Sequence, residues 1–150
     1  MEVKITGCKD PVMKDELHRA AHFFGEKLLS RQMLPHIDIE VVMRTTTKDW
    51  GSCTVTYYND WYKPRQFEII LKRHKPLKDT IATLAHEMVH LKQFAKGELN
   101  IDLNKWHKTP VDTEVIPYHE LPWEIEASTC EYVLYDLYVQ KYPPTPLLTS

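Results

Sequence analysis

The sequence has 150 residues, which is the length of a single domain with a sizeable hydrophobic core. Its composition is 43% hydrophobic and 27% charged, and its formal net charge is -2. A net charge this close to zero gives no indication of a basic surface for nucleic acid. No apolar run approaches the roughly 18 residues of a membrane span. The first residues also lack the apolar core of a signal peptide. We therefore expect one cytoplasmic domain, residues 1–150, that binds neither nucleic acid nor a membrane directly.

The cysteine pattern agrees with a reducing compartment. Cys8, Cys53 and Cys130 are odd in number and widely separated, and no C-x-x-C motif is present. This spacing predicts neither a disulfide framework nor a thiolate zinc site.

The first half of the chain predicts one helix followed by a small sheet. Residues 1–9 are expected to form a short strand or an ordered arm, and a helix begins at Pro11 with Asp10 as its N-cap. Beyond Pro35, period-two alternation and β-branched residues predict three strands, at 37–44, 53–58 and 65–72. Asn59-Asp60 marks the second turn. The short connections favour a mainly antiparallel meander.

The second half predicts two helices separated by a long loop. Pro76 begins the first helix, with Asp79 in its first turn. Residues 98–121 contain many loop formers, and we expect them to form a wall of a substrate cleft. Pro122 begins the final helix, and about residues 143–150 are expected to be a flexible tail. The fold class predicted from these elements is α+β.

The helix that begins near Pro76 carries an H-E-x-x-H pattern at His86-Glu87-Met88-Val89-His90. Residues four apart lie on the same helix face, so the two imidazoles can bind one ion, and Glu87 lies about 100° further round. The opposite face is apolar and suits a core: Ile81, Leu84, Ala85, Met88 and Leu91. A zinc hydrolase needs two neutral nitrogen ligands, an open coordination position and a carboxylate base. The pattern therefore predicts a Zn²⁺ site in which Glu87 is the base.

A third protein ligand must come from farther along the chain. The candidates are His107, His119, Glu120, Glu124 and Glu126. Rigid elements hold ligands best, which favours the two glutamates inside the final helix. Small residues beside Glu124 would let two helices approach closely, and Glu131 lies on the same side as a candidate outer partner of the ligands. The residues alone leave both Glu124 and Glu126 open.

These segments resemble a known family. The H-E-x-x-H motif followed by Glu124-Ile125-Glu126-Ala127 is similar to the gluzincin pattern, in which the third ligand opens an E-x-x-A segment. The C-terminal segment resembles small phage and bacterial metallopeptidases in particular, and Trp50-Gly51-Ser52-Cys53 resembles the W-G-S-C segment of SprT-like minimal zincins. The resemblance covers about residues 37–131 and implies a compact zincin-like fold with Glu124 as ligand. Because SprT-like proteins commonly use a histidine third ligand, His119 stays an alternative.

We accordingly predict a zinc metallopeptidase that hydrolyses polypeptides by a zinc-activated water, with Glu87 as general base. Tyr118, His119 and Tyr132 are candidate hydrogen-bond donors to the transition state. In zincins an edge strand binds extended substrate, and the resemblance assigns this role to residues 66–72. The side chains concerned are Phe67, Ile69 and Leu71.

Two other functions are compatible with the same motif. One is a zinc-stabilised binding or regulatory module without catalysis, and the other is a zinc amidase acting on a non-protein amide. An intact Glu87 argues against the first, because a purely structural site has no use for a base beside its ligands. The natural substrate, any regulatory partner and the oligomeric state are not predicted by the sequence.

Overall fold

The computed structural model describes residues 1–45, 48–59 and 62–144. Its elements, in chain order, are β1 (Glu2–Thr6), α1 (Pro11–Leu28), β2 (Asp38–Arg44), β3 (Gly51–Asn59), β4 (Tyr62–Lys72), α2 (Leu77–Ala95), β5 (Lys105–Trp106), β6 (Thr109–Pro110) and α3 (Pro122–Lys141). Short 3-10 turns occur at Leu34–His36 and Tyr118–Glu120. The α+β class is confirmed. Asp60 of the predicted turn and residues 145–150 of the predicted tail lie outside the described residues.

The sheet differs from the predicted three-stranded antiparallel meander. It has four strands in the order β1-β2-β4-β3; β1 pairs with β2 in parallel, β2 pairs with β4 in parallel, and only β3 and β4 are antiparallel. The segment 1–9 supplies β1, and α1 is the crossover that a parallel β1–β2 pair requires. Local alternation identifies each strand, but the order of the strands depends on pairing between distant segments.

The prediction that residues 66–72 form the edge strand is wrong. This segment belongs to β4, which lies inside the sheet between β2 and β3. Phe67, Ile69 and Leu71 are at most 2% exposed and belong to the hydrophobic core. They therefore have no surface to offer a substrate. On this side of the sheet the edge strand is β3.

Helix α2 is the centre of the packing. The apolar back predicted for it is buried, since Ile81, Leu84, Ala85, Met88 and Leu91 all belong to the core cluster. The helix packs against α1, α3, β3 and β4. This burial holds one face of α2 against the sheet and leaves its other side for α3 and the long connecting segment.

The segment between α2 and α3 contains the two-stranded hairpin β5–β6 and the second 3-10 turn. All three cysteines are free thiols, as the sequence predicted. Within the described ranges, no helix is both long and apolar enough to cross a membrane.

Candidate metal centre

Two histidines on α2 and one glutamate on α3 converge on one point. His86 Nε2 lies 3.1 Å from Glu124 Oε1, and His90 Nε2 lies 3.0 Å from Glu124 Oε2. One ligand atom from each of the three residues lies within 4.8 Å of the others. Among the described residues, this His/His/Glu triad is the one group of metal-ligating side chains so arranged, and it could hold a metal ion. The structure thus brings together the three residues that the sequence and the resemblance selected.

The other ring nitrogen of each histidine is occupied by a neighbouring side chain. His86 Nδ1 lies 3.0 Å from Glu131 Oε1, and His90 Nδ1 lies 2.8 Å from Gln93 Oε1. Each acceptor oxygen keeps a proton on Nδ1, so that with a cation in place of the Nε2 protons each Nε2 lone pair would face the Glu124 side. Glu131 therefore lies where the sequence predicted an outer partner of the ligands.

The sequence interpretation missed Gln93. This side chain is 0% exposed, and besides accepting from His90 it donates from Nε2 to the Trp123 carbonyl oxygen at 3.0 Å and to Glu126 Oε1 at 3.2 Å. It thereby ties the metal-site face of α2 to the first turn of α3. The sequence could have identified Gln93 by its position, three residues after His90 on the same helix face.

The remaining ligand candidates do not join the triad. The Glu126 carboxylate accepts a hydrogen bond from Lys92 Nζ at 2.7 Å as well as the one from Gln93. His107, His119 and Glu120 also lie outside the group.

The charges of His86, His90 and Glu124 shift one another's pKa values in the metal-free protein. Burial lowers the pKa of His86, but hydrogen bonds to Glu124 and Glu131 outweigh it and raise that pKa to about 10. The pKa of His90 is also raised, because its contacts with Glu124 outweigh burial. For Glu124 itself, burial would raise the pKa, yet the two histidines lower it to about 2. In this state the imidazolium protons occupy the positions that a cation would take.

Glu87 lies beside the triad on α2 and is 6% exposed. Burial raises its pKa to about 7, although the neighbouring histidines partly oppose the shift. Gly51 of β3 allows the strand to approach this helix closely, because a Cβ there would lie 2.7 Å from Thr83 Cγ2 and 3.2 Å from Glu87 Cγ. The start of β3 and the candidate base are therefore in contact range.

The triad lies between two adjoining cavities, which share the lining residues Asp49, Gly51, Glu87, Tyr118 and Glu124. The first cavity, the His86 half of the cleft, has a volume of about 630 Å³ and is also lined by Trp50, Thr83, His86, His119, Ser128 and Glu131. The second, the His90 half, has a volume of about 370 Å³. Residues of the 98–121 segment line both halves, in agreement with the predicted cleft wall.

The predicted hydrogen-bond donors separate into two groups. Tyr118 lines both halves of the cleft, and its pKa is raised by burial and by the Glu124 carboxylate, which accepts a hydrogen bond from its hydroxyl. His119 lines the His86 half. Tyr132 is 72% exposed on α3 and lines neither half, so the structure does not bring it to the cleft.

Comparison of the chain with protein-family models, with curated proteins and with solved structures gives no significant match.

Proposed function

We propose that this protein is a zinc-dependent peptidase in which His86, His90 and Glu124 hold the metal and Glu87 is the general base. The observation that carries the proposal is the convergence of both Nε2 atoms on one carboxylate, at 3.0 and 3.1 Å, beside a buried glutamate that is not part of the triad.

The donor set fits zinc. Two imidazole nitrogens and one carboxylate oxygen are the ligands of a common class of catalytic zinc sites, which leave the fourth position open. Structural zinc sites usually close with four protein ligands and often include cysteine, whereas this group contains none. Its side chains are held by Glu131 and Gln93, as ligands of a functional metal commonly are. A zinc ion bound there would act as a Lewis acid on water and on a substrate carbonyl.

Glu87 is suited to moving protons near neutral pH. A general base works best when its pKa lies near the working pH, and burial places that of Glu87 at about 7. Its carboxylate lines both halves of the cleft, so it can accept a proton from water there and return one to a leaving amine. Tyr118 lines the same two halves, and its hydroxyl can donate a hydrogen bond to the oxygen of the reacting carbonyl.

The polypeptide substrate would lie along β3, in place of the β4 segment that the sequence favoured. β3 pairs on one side with β4, and its start lies against the helix that carries Glu87. An extended chain can pair with an edge strand through backbone hydrogen bonds, which position its peptide bonds without regard to side chains. This placement would bring a substrate bond to the junction of the two halves of the cleft.

The test compares Glu87→Gln with the wild-type protein. The variant keeps the shape of the side chain and removes its ability to take a proton. We expect one zinc ion per chain in both proteins, and hydrolysis of unfolded casein by the wild type alone, abolished by a chelator and restored by zinc. Equal zinc-dependent hydrolysis by both proteins would remove Glu87 from the mechanism. Full zinc binding with no hydrolysis of any polypeptide by the wild type would indicate a binding module instead.

A further inference from the structure

Four basic residues lie together where the parallel strands of the sheet end. Arg44 is the last residue of β2 and Lys72 the last of β4, and the two are paired across the strands. Arg73 and Lys75 follow directly in the chain. The N–H of Arg73 donates to the Arg44 carbonyl oxygen at 2.9 Å, which keeps the two segments side by side beyond the strands. Arg44, Lys72, Arg73 and Lys75 are called the basic edge below.

The other two strands of the sheet border the basic edge at the same end. Gly7 follows β1, and a Cβ there would lie 3.2 Å from Arg73 Nη2, so this guanidinium lies against the end of β1. Before the start of β3, the Trp50 carbonyl oxygen accepts from the Lys72 N–H at 2.9 Å, and Lys75 Nζ lies 4.1 Å from the centre of the Trp50 ring. The basic edge therefore extends across the sheet from β1 to β3.

The chain itself does not neutralise these cations. Among residues 1–45, 48–59 and 62–144, none of the four forms an ion pair with a carboxylate. Arg73 Nε is also buried without a hydrogen-bond partner in this part of the chain. The segment 72–78 contains three lysines, one arginine, one histidine and no acidic residue. In a chain whose formal net charge is -2, this is a local concentration of positive charge that attracts anionic groups.

Trp50 joins the basic edge to the cleft. Its side chain is 48% exposed, lines the His86 half and also contacts Lys75. The next residue, Gly51, begins β3 and lies beside Glu87. An extended polypeptide advances about 3.3 Å per residue. A chain paired with β3 at Glu87 would therefore pass Trp50 and reach Lys75 within a few residues.

We propose that the basic edge binds an acidic segment of the polypeptide substrate, a few residues from the bond presented to Glu87. Its role in substrate binding rests on the proposed function, to which it adds a substrate class: polypeptides with a run of aspartate or glutamate on one side of the cleaved bond. Exposed ion pairs are individually weak, and several together give a preference of about tenfold at low salt. Salt screens such pairs, so the preference should disappear at about 0.5 M salt.

The surroundings of the basic edge favour a polypeptide over a nucleic acid. Nucleic acids bind along a track of many phosphate contacts and, when single-stranded, on several stacked aromatic rings. The basic edge offers four cations and one tryptophan contact, and beyond Trp50 it meets the free side of β3. That side pairs with a polypeptide backbone, which has the N–H and carbonyl groups that an edge strand requires.

The experiment measures binding, so that it does not depend on turnover. Zinc-loaded Glu87→Gln protein is titrated with fluorescent peptides of glycine, serine and alanine that carry a run of glutamates at the amino end, at the carboxyl end or at neither. We expect the run at one end to tighten binding about tenfold over the neutral peptide at low salt, and the run at the other end to have little effect. The difference should be lost at about 0.5 M salt.

A pair of variants locates the effect. Arg44→Gln together with Lys75→Gln should abolish most of the preference for the acidic peptide. The matched control is Lys14→Gln together with Lys105→Gln, which makes the same change of net charge at exposed positions outside the basic edge. The control should keep the full preference, and both proteins should bind zinc with unchanged stoichiometry.

Three results would overturn the inference: equal affinity for acidic and neutral peptides, an equal effect of the run at both ends, or equal loss of the preference in the control. A single-stranded oligonucleotide that binds more tightly than the acidic peptide, and loses this binding in the Arg44→Gln, Lys75→Gln protein, would also overturn it, because the basic edge would then be a nucleic-acid surface.

Hydrolysis of casein by the wild-type protein judges the proposed function separately. Hydrolysis with no preference for acidic peptides would refute the basic edge as a substrate site and leave the peptidase in place. An acidic preference in a protein that hydrolyses no polypeptide would refute the peptidase and leave the binding surface in place.

Discussion

Replacement of Gln93 by leucine tests how the site is held in place. Leucine is close to glutamine in size, so the change removes hydrogen bonds without leaving a large cavity. His90 Nδ1, now 2.8 Å from the glutamine oxygen, loses its buried partner, which costs about 1–3 kcal/mol. The Trp123 carbonyl oxygen and Glu126 Oε1 each lose one hydrogen bond from the glutamine nitrogen, at about 0.5–1.5 kcal/mol each, although the carbonyl still accepts within α3. We expect Gln93→Leu to lower the free energy of unfolding by about 2–4 kcal/mol, partly offset by the buried leucine.

The same change should weaken metal binding. Loss of a partner that orients a metal-ligating histidine typically costs about 10–100-fold in affinity, because the ring is no longer fixed in one tautomer and direction. A second variant separates the two effects. Gln93→Glu keeps an acceptor for the His90 ring but loses the donor to Trp123 and places a charge beside Glu126. It should therefore retain zinc affinity while still losing stability.

The assays are urea unfolding of the metal-free protein and competitive zinc titration. For a chain of this length, the expected loss of stability corresponds to a decrease in Tm of about 5–15 °C. The matched control is Gln140→Leu, the same substitution at an exposed position of α3, which should change neither quantity. If Gln93→Leu leaves zinc affinity and stability unaltered, Gln93 neither orients His90 nor stabilises the contact between α2 and α3.

Three further outcomes follow from the same contacts. Because the pKa values of His86 and His90 are raised in the metal-free protein, zinc must displace protons. Zinc affinity should therefore rise with pH up to about 10, the pKa of His86, and calorimetry in buffers of different ionisation enthalpy should show proton release. Gly51→Ala places a methyl group 2.7 Å from Thr83 Cγ2, and it should reduce casein hydrolysis several-fold with zinc stoichiometry unchanged. Lys92→Met removes the cation shared by two carboxylates at 2.7 and 2.8 Å, and should lower unfolding free energy by about 1–3 kcal/mol in urea titrations. Each prediction has an outcome that would contradict it: zinc affinity independent of pH, normal turnover by the Gly51→Ala protein, or undiminished stability of the Lys92→Met protein.

The sequence was sufficient for the parts of the site that depend on local geometry. His86 and His90 share a face because they are one helical turn apart on a helix whose apolar back is evident in the sequence. The position of Glu124 could not be derived in this way, since Glu126 was nearly as well placed on the same helix. The choice between them depends on the packing of α3 against α2. The resemblance favoured Glu124, and Glu124 is the glutamate that belongs to the triad.

The sheet shows what local patterns cannot determine. Period-two alternation and β-branched residues identified β2, β3 and β4, but these signals carry no information about which strands are neighbours. The consecutive Ile69-Ile70 pair indicates that β4 lies inside the sheet, because internal strands often carry apolar residues on both faces. The threonines of β3 fit an exposed edge. Gln93 was missed for a related reason, because its hydrogen bond to Trp123 depends on how α3 packs against α2.

The most direct test of the metal centre is an anomalous-difference map from crystals of the zinc-loaded protein, recorded on both sides of the zinc absorption edge. We expect one strong peak per chain, bound by the Nε2 atoms of His86 and His90 and by a carboxylate oxygen of Glu124. Glu87 should lie close to the peak without binding it. A peak ligated by other side chains, or crystals that take up no zinc at this triad, would contradict the central claim.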